Sequence, residues 1–148
     1  MTLLFIDLNV WLALSVDRHP HHTIAWTWLC GLPDDAHLIL CRYTQLGILR
    51  LLSNKAIMGD ETLTLRQAWS VYDRWLEDPR VEFCHEPRQA ESSFRQATEH
   101  FAAKAASKWV GDCWLLAFAQ ATHSSLVTFD QALCDFALQQ GNNAVRPG

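Results

Sequence analysis

No two cysteines in this chain form a C-x-x-C pair, and their number is odd: Cys30, Cys41, Cys84, Cys113 and Cys134. That pattern argues against the paired disulfide framework of a small secreted domain and for reduced thiols in a cytoplasmic protein. A basic surplus is missing as well. Lys and Arg number 12 against 16 Asp and Glu, leaving a formal net charge of -4. Proteins that hold nucleic acid through bulk charge are basic, so any such contact here must rest on a local patch or a metal ion. No run reaches the length of a membrane span without a charge, so no membrane partner is expected. The apolar start lacks the basic leader of a secretory signal, and Asp7 and Asn9 interrupt it. Repeats, linkers and low-complexity tracts are also absent. What remains is 148 residues, 49% hydrophobic with seven tryptophans, which suits a single domain over 1–148 with a sizeable core.

Four short apolar runs read as buried strands: "LLFI" (3–6), "LILC" (38–41), "VEFC" (81–84) and "LVTF" (126–129). The stretches between them read as helices over 23–32, 44–53, 64–78, 90–106, 112–122 and 130–141. Gly31 and Pro33 stop the first of these, and Gly141 caps the last. Residues 112–122 are apolar nearly all round, so that helix should be sandwiched. The segment 54–62 reads as a mobile loop, and "NNAVRPG" as a short edge strand or a tail. Strand and helix alternate with long crossovers, the pattern of an α/β fold whose mostly parallel sheet is covered on both faces.

In such a sheet, ligands bind outside the carboxyl ends of the strands. Asp7 directly follows the first apolar run and Asp130 the fourth; right-handed connections bring both to one rim. Asp112 opens the helix that feeds the fourth strand, so it starts at that rim too. Read singly, each is a helix cap or a first-turn carboxylate, with Asn9 the better-placed cap of the first helix. Read together, three converging carboxylates raise one another's pKa, and a divalent cation resolves the conflict. All-oxygen ligands select Mg²⁺ or Mn²⁺, completed by substrate phosphate oxygens. Such an ion polarises a phosphoryl oxygen and lowers the pKa of a water, which implies phosphodiester hydrolysis.

"LLFIDLNVWLAL", "CRYTQLGILRLL" and "GDCWLLAFAQATHSSLVTFDQAL", in that order and spacing, resemble the PIN domain, and most closely the VapC-type toxins of bacterial toxin–antitoxin pairs. The resemblance covers nearly the whole chain. It implies a three-layer α/β/α sandwich and a Mg²⁺- or Mn²⁺-dependent endoribonuclease acting on structured RNA, tRNA or ribosomal RNA. It also implies a cognate VapB-type antitoxin and a homodimer. Carried over by residue, Asp7, Asp112 and Asp130 take acidic metal-binding positions. Thr128 matches the hydroxyl residue that orients a metal-bound water, and Asn9 the polar residue that holds the first carboxylate or touches substrate. The family's second acidic position falls on Gln45, which offers an amide oxygen without charge. That departure leaves an alternative open: a degenerate PIN-fold module that binds RNA or a protein partner without turnover. A relative of DNA-directed 5′-nucleases is a third reading, against which stands the lack of extra helical elements.

Glu86, Asp60 and Glu61 could compensate for Gln45 but read as solvated charges. Arg50 and Lys108 are candidate phosphate contacts, with Arg42 and Lys104 nearby. Trp109 could stack on a base and reads rather as packed inward. His19, His21 and His22 read as a loop before a helix, with no zinc partner at ligand spacing. The remaining tryptophans exceed what one small core needs, which leaves some for an apolar groove facing an antitoxin helix.

Overall fold

The computed structural model describes residues 2–148. Its five parallel strands are β1 Thr2–Ile6, β2 Ala36–Leu40, β3 Val81–Phe83, β4 Ser125–Val127 and β5 Ala144–Val145, in the order β3-β2-β1-β4-β5. The helices are α1 Leu8–Ser15, α2 His22–Cys30, α3 Arg42–Leu52, α4 Lys55–Met58, α5 Leu65–Leu76, α6 Ala90–Glu99, α7 Val110–Ala121 and α8 Gln131–Gln139.

The two-residue period of the strands divides the core. Leu4, Ile6, Leu38, Leu40 and Val127 face one layer, with Val10, Trp11, Leu29, Ile48 and Tyr72 from α1, α2, α3 and α5. Phe5, Ile39 and Leu126 face the other, with Leu116, Phe118, Leu133 and Phe136 from α7 and α8. Both faces of the sheet are therefore covered, giving three layers. Trp11 is completely buried and meets Trp75 edge-on at 5.3 Å; truncating such a ring costs about 3–5 kcal/mol.

The order in which strands join the sheet reverses between β1 and β4. The first half of the chain builds outward through β2 to β3, and the second half returns to the other side of β1. Ile6 is in register with Val127, so Asp7 and Thr128 leave their strands side by side. The Asp7 N–H extends the ladder, donating to the Val127 carbonyl at 2.8 Å. This is the crevice where open α/β sheets hold ligands.

Some boundaries differ from the sequence reading. Residues 54–62 are not a bare loop: Asn54 caps the single turn of α4 through Ala56 and Ile57 N–H, and Gly59–Glu61 forms a 3₁₀ turn. Helix α6 ends at Glu99, short of the Ala-rich stretch to 106. Phe101 leaves the helix line to stack on Trp109 at 4.8 Å, and this tertiary contact outweighs alanine propensity. The tail does form an edge strand, β5 beside β4, and Gly141 adopts φ +81° just past the end of α8.

Candidate active site

Asp7 itself, and not Asn9, is the N-cap of α1: its Oδ1 accepts the Leu8 N–H at 2.6 Å. Its Oδ2 accepts the Thr128 hydroxyl at 2.7 Å. Asn9, on the next residue pair, reaches across to β4 instead. Its Nδ2 donates to Thr128 Oγ1 at 3.3 Å and its Oδ1 accepts the Phe129 N–H at 3.2 Å. Thr128 Oγ1 also accepts the Asp130 N–H at 3.0 Å. One buried hydroxyl thus ties the ends of β1 and β4 into a single frame.

Asp130 caps α8, with Oδ1 accepting from Ala132 and Leu133 N–H at 2.9 and 3.2 Å. Asp112 lies in the first turn of α7. That helix runs antiparallel to β4, so its start reaches the rim where β4 ends. The Asp112 carboxyl is partly buried and accepts no hydrogen bond among the described residues. Burial first, then the charges of Asp130 and Asp7, push it up to about 6. Burial also raises Asp7, with Asp130 adding to it against the lowering effects of Thr128 and Leu8. The three carboxylates therefore share one electrostatic neighbourhood. They are not gathered into a closed cage: among the described residues no three His, Cys, Asp or Glu groups lie close enough to form one. The reason is visible in the hydrogen bonds, since Asp7 and Asp130 each turn an oxygen toward a helix start. An all-oxygen set with an unpaired, partly buried carboxyl at its centre still has the chemistry that a hard divalent cation suits.

Gln45 is buried in α3, and its Oε1 accepts from Arg42 Nη1, whose guanidinium lies 4.9 Å over the Phe83 ring. The amide also lies near the Tyr72 hydroxyl, whose pKa burial raises against a lowering effect of Gln45. As the side chain stands, its oxygen is engaged by Arg42. Glu86 lies beside Cys41 and Arg42 in a hollow of about 90 Å³. Asp60 is exposed, and Glu61 pairs with Arg18 at 3.1 Å. Arg50 is exposed near the end of α3, and Lys108 is exposed in the 3₁₀ turn Ser107–Trp109 leading to α7.

Two features at the rim escaped the sequence reading. Tyr43 stands over the start of α7, where a Cβ on Gly111 would come within 2.7 Å of its hydroxyl. Burial, then Asp7 and Asp112, raise that phenol. His21 stacks on Phe129 at 4.7 Å and 24°, so the "HPHH" segment leans on the loop between Thr128 and Asp130. The clustered histidines were the only signal, and a stack between residues more than a hundred positions apart has no periodicity to betray it.

The PIN domain family model matches residues 4–138. The chain belongs to the PIN-domain family. It is 35% identical over 141 residues to "Ribonuclease VapC41" of Mycobacterium tuberculosis, covering 90% of this chain and 93% of that protein. Among solved structures, this PIN domain shares its fold with VapBC2 from Rickettsia felis bound to a promoter DNA fragment (TM-score 0.69, 13% identity, 98% of both chains). It also shares it with VapBC-1 from nontypeable Haemophilus influenzae (TM-score 0.68, 14% identity, 98% of both chains).

Proposed function

We propose that this PIN domain is a Mg²⁺- or Mn²⁺-dependent endoribonuclease toxin of the VapC type, one domain over residues 1–148 that works in the cytoplasm on structured RNA. The observation that carries it is the placement of Asp7, Asp112 and Asp130 at the starts of α1, α7 and α8, beside the ends of β1 and β4, where burial and then the charges of Asp130 and Asp7 raise the Asp112 carboxyl to about 6. The relation to a ribonuclease over 93% of its length supports the same reading.

In this reading Asp7, Asp112 and Asp130 hold the divalent ion. When bound, that ion supplies charge neutralisation at a phosphoryl oxygen and a water of lowered pKa. The chain's own residues do the positioning. Thr128 commits its proton to Asp7 Oδ2 and uses its lone pairs to accept from Asn9 and the Asp130 N–H, which fixes the Asp7 carboxylate. Asn9 and Arg50 face the substrate backbone from one side of the crevice and Lys108 from the other. Gln45 keeps Arg42 and Tyr72 in place from beneath.

A VapB-type antitoxin and a second copy of the chain are the protein partners of this reading. Exposed apolar side chains support it: Trp26 on α2 and Trp69 on α5 are 39% and 44% exposed, with Leu46 on α3 and Val110 on α7 also open. No helix among the described residues is long and apolar enough to cross a membrane.

A second reading, a binding module without turnover, rests on Gln45, which brings no charge where the family places a carboxylate. Incubating the purified protein with total RNA and Mg²⁺ or Mn²⁺, beside Asp7→Asn and Asp112→Asn, separates the two. Cleavage by the parent and loss in both variants is expected. Cleavage by all three alike overturns the catalytic assignment, and RNA binding without cleavage by any establishes the second reading.

A further inference from the structure

The segment 100–109, which links α6 to α7, borders an open hollow of about 310 Å³, within the size range of small-ligand sites. An adjoining hollow of about 320 Å³ shares Phe101, Lys104, Ser107 and Trp109 and adds Lys108. The aromatic wall is rigid. Phe101 and Trp109 stack at 4.8 Å and 20°, and Phe136 braces both from 5.4 and 5.6 Å. The charge here is opposite to that of the whole chain. Of three lysines in the sequence, Lys55, Lys104 and Lys108, two stand at this place, and no Asp or Glu lines either hollow. Among the described residues neither lysine is ion-paired to a carboxylate. Val110 and Cys113, from the first turn of α7 that also carries Asp112, line the hollow as well. The hollow is thus continuous with the helix start that carries the central carboxyl.

We propose that this hollow is a nucleotide subsite, in which an unstacked base of the RNA lies against the Trp109–Phe101 wall and its flanking phosphates meet Lys104 and Lys108. The aromatic surface with adjacent cations is the chemistry that holds single-stranded nucleic acid. Its lining reaches the first turn of α7, the turn that carries Asp112, so the proposal rests on the nuclease reading for the identity of its ligand. Trp109, which the sequence suggested was merely packed inward, is packed on one side by Phe101 and lines the hollow as well.

The test uses the full chain without divalent ion, so binding is read apart from cleavage. Adenosine 5′-monophosphate is titrated while the tryptophan indole N–H signals are followed by NMR, with Trp109 assigned through Trp109→Phe. Trp109 is expected to shift and saturate, while the exposed Trp26 and Trp69 stay put and ribose 5-phosphate has little effect. Equal shifts with ribose 5-phosphate, or no shift at Trp109, overturn the base-binding claim. In parallel, a labelled single-stranded RNA is bound across a salt series by the parent, Lys104→Ala/Lys108→Ala and Lys55→Ala. The double variant should flatten the log affinity against log salt slope by about 1.4, at roughly 0.7 per phosphate contact. Lys55→Ala should leave it unchanged. A parent that cuts RNA while the double variant binds with unaltered slope and affinity sinks the subsite and spares the nuclease reading. A parent that binds through these lysines and cuts nothing does the reverse.

Discussion

The Thr128 hydroxyl lies 2.7 Å from Asp7 Oδ2 across 121 positions of sequence, and the same oxygen accepts the Asp130 N–H two residues on. One buried hydroxyl therefore holds the Asp7 carboxylate and the Asp130 backbone at the point where β1 and β4 end. Neither aspartate is placed by its own strand alone. Each owes its orientation to the pairing of Ile6 with Val127 that sets the two loops side by side.

Thr128→Val keeps the shape of that group and deletes its polarity. The buried Asp7 carboxylate loses one of its two donors, keeping Leu8 N–H, and the Asn9 Nδ2 and Asp130 N–H lose their shared acceptor. Unsatisfied partners of this kind cost about 1–3 kcal/mol each, and removing a group that orients a ligand costs about 10–100-fold in metal affinity or activity. Thermal unfolding and Mn²⁺ titration should both register the loss, and Thr128→Ser should restore both. A valine variant equal to the parent in ion affinity would show that the frame has no bearing on the site.

Asp112 predicts a pH dependence with a definite sign. Its carboxyl stands at about 6 in the folded chain against 3.8 for the free group. A raised folded value means that this group's contribution to stability is complete below about pH 4 and is lost as pH rises through about 6. The metal-free protein should therefore lose stability across that window, with Asp7 acting in the same direction. Asp112→Asn removes the Asp112 share. Solvent screening at a half-exposed carboxyl limits the gain above pH 6 to about 1 kcal/mol, or about 2–4 °C in Tm for a chain of this size. Added Mg²⁺ should raise Tm in the parent and much less in the variant. Parallel Tm curves from pH 4 to 8 for the two proteins would refute this origin of the shift.

Much of this site was legible because strand ends are legible. Apolar runs of four residues announced β1 and β4, and the topology of parallel sheets carried Asp7 and Asp130 to one rim before any coordinate was known. Asp112 followed from the direction a helix must take to feed β4. Side-chain choices were not legible in the same way. Asn9 looked the better cap by position, yet its amide finds Thr128 and Phe129 on another strand, and Asp7 caps in its place. Helix α6 stops early for a stack with Trp109, and the histidine segment meets Phe129, through contacts that local pattern does not encode.

Gln45→Glu tests what the missing carboxylate is worth. In the folded chain the amide sits between Arg42 and the Tyr72 hydroxyl. A glutamate there would take the Arg42 guanidinium in a charge-assisted hydrogen bond and spend its new charge on it. Divalent-ion affinity should accordingly change by less than the about 10–100-fold that belongs to a ligand or its direct support. Isothermal titration with Mn²⁺ and a cleavage assay at limiting ion measure this. A gain beyond that range, with cleavage appearing only in the variant, would favour the reading in which Gln45 has disabled turnover.

His21 meets the rim through Phe129. The imidazole makes no cap hydrogen bond at the start of α2, while its backbone N–H donates to His19 Nδ1 at 3.0 Å, so the ring is left to lie on Phe129 at 4.7 Å. Phe129, which sits between Thr128 and Asp130, in turn gives its N–H to Asn9 Oδ1. An aromatic pair of this kind is worth about 0.5–1.5 kcal/mol beyond its buried area, so His21→Ala should weaken Mn²⁺ binding and RNA cleavage together by about two- to tenfold. His21→Phe keeps the stack and loses both ring nitrogens, and should stay close to the parent at every pH tested. If phenylalanine falls as far as alanine, the ring nitrogens matter and the stack is incidental. If alanine costs nothing, the segment 16–22 is a connector and no more.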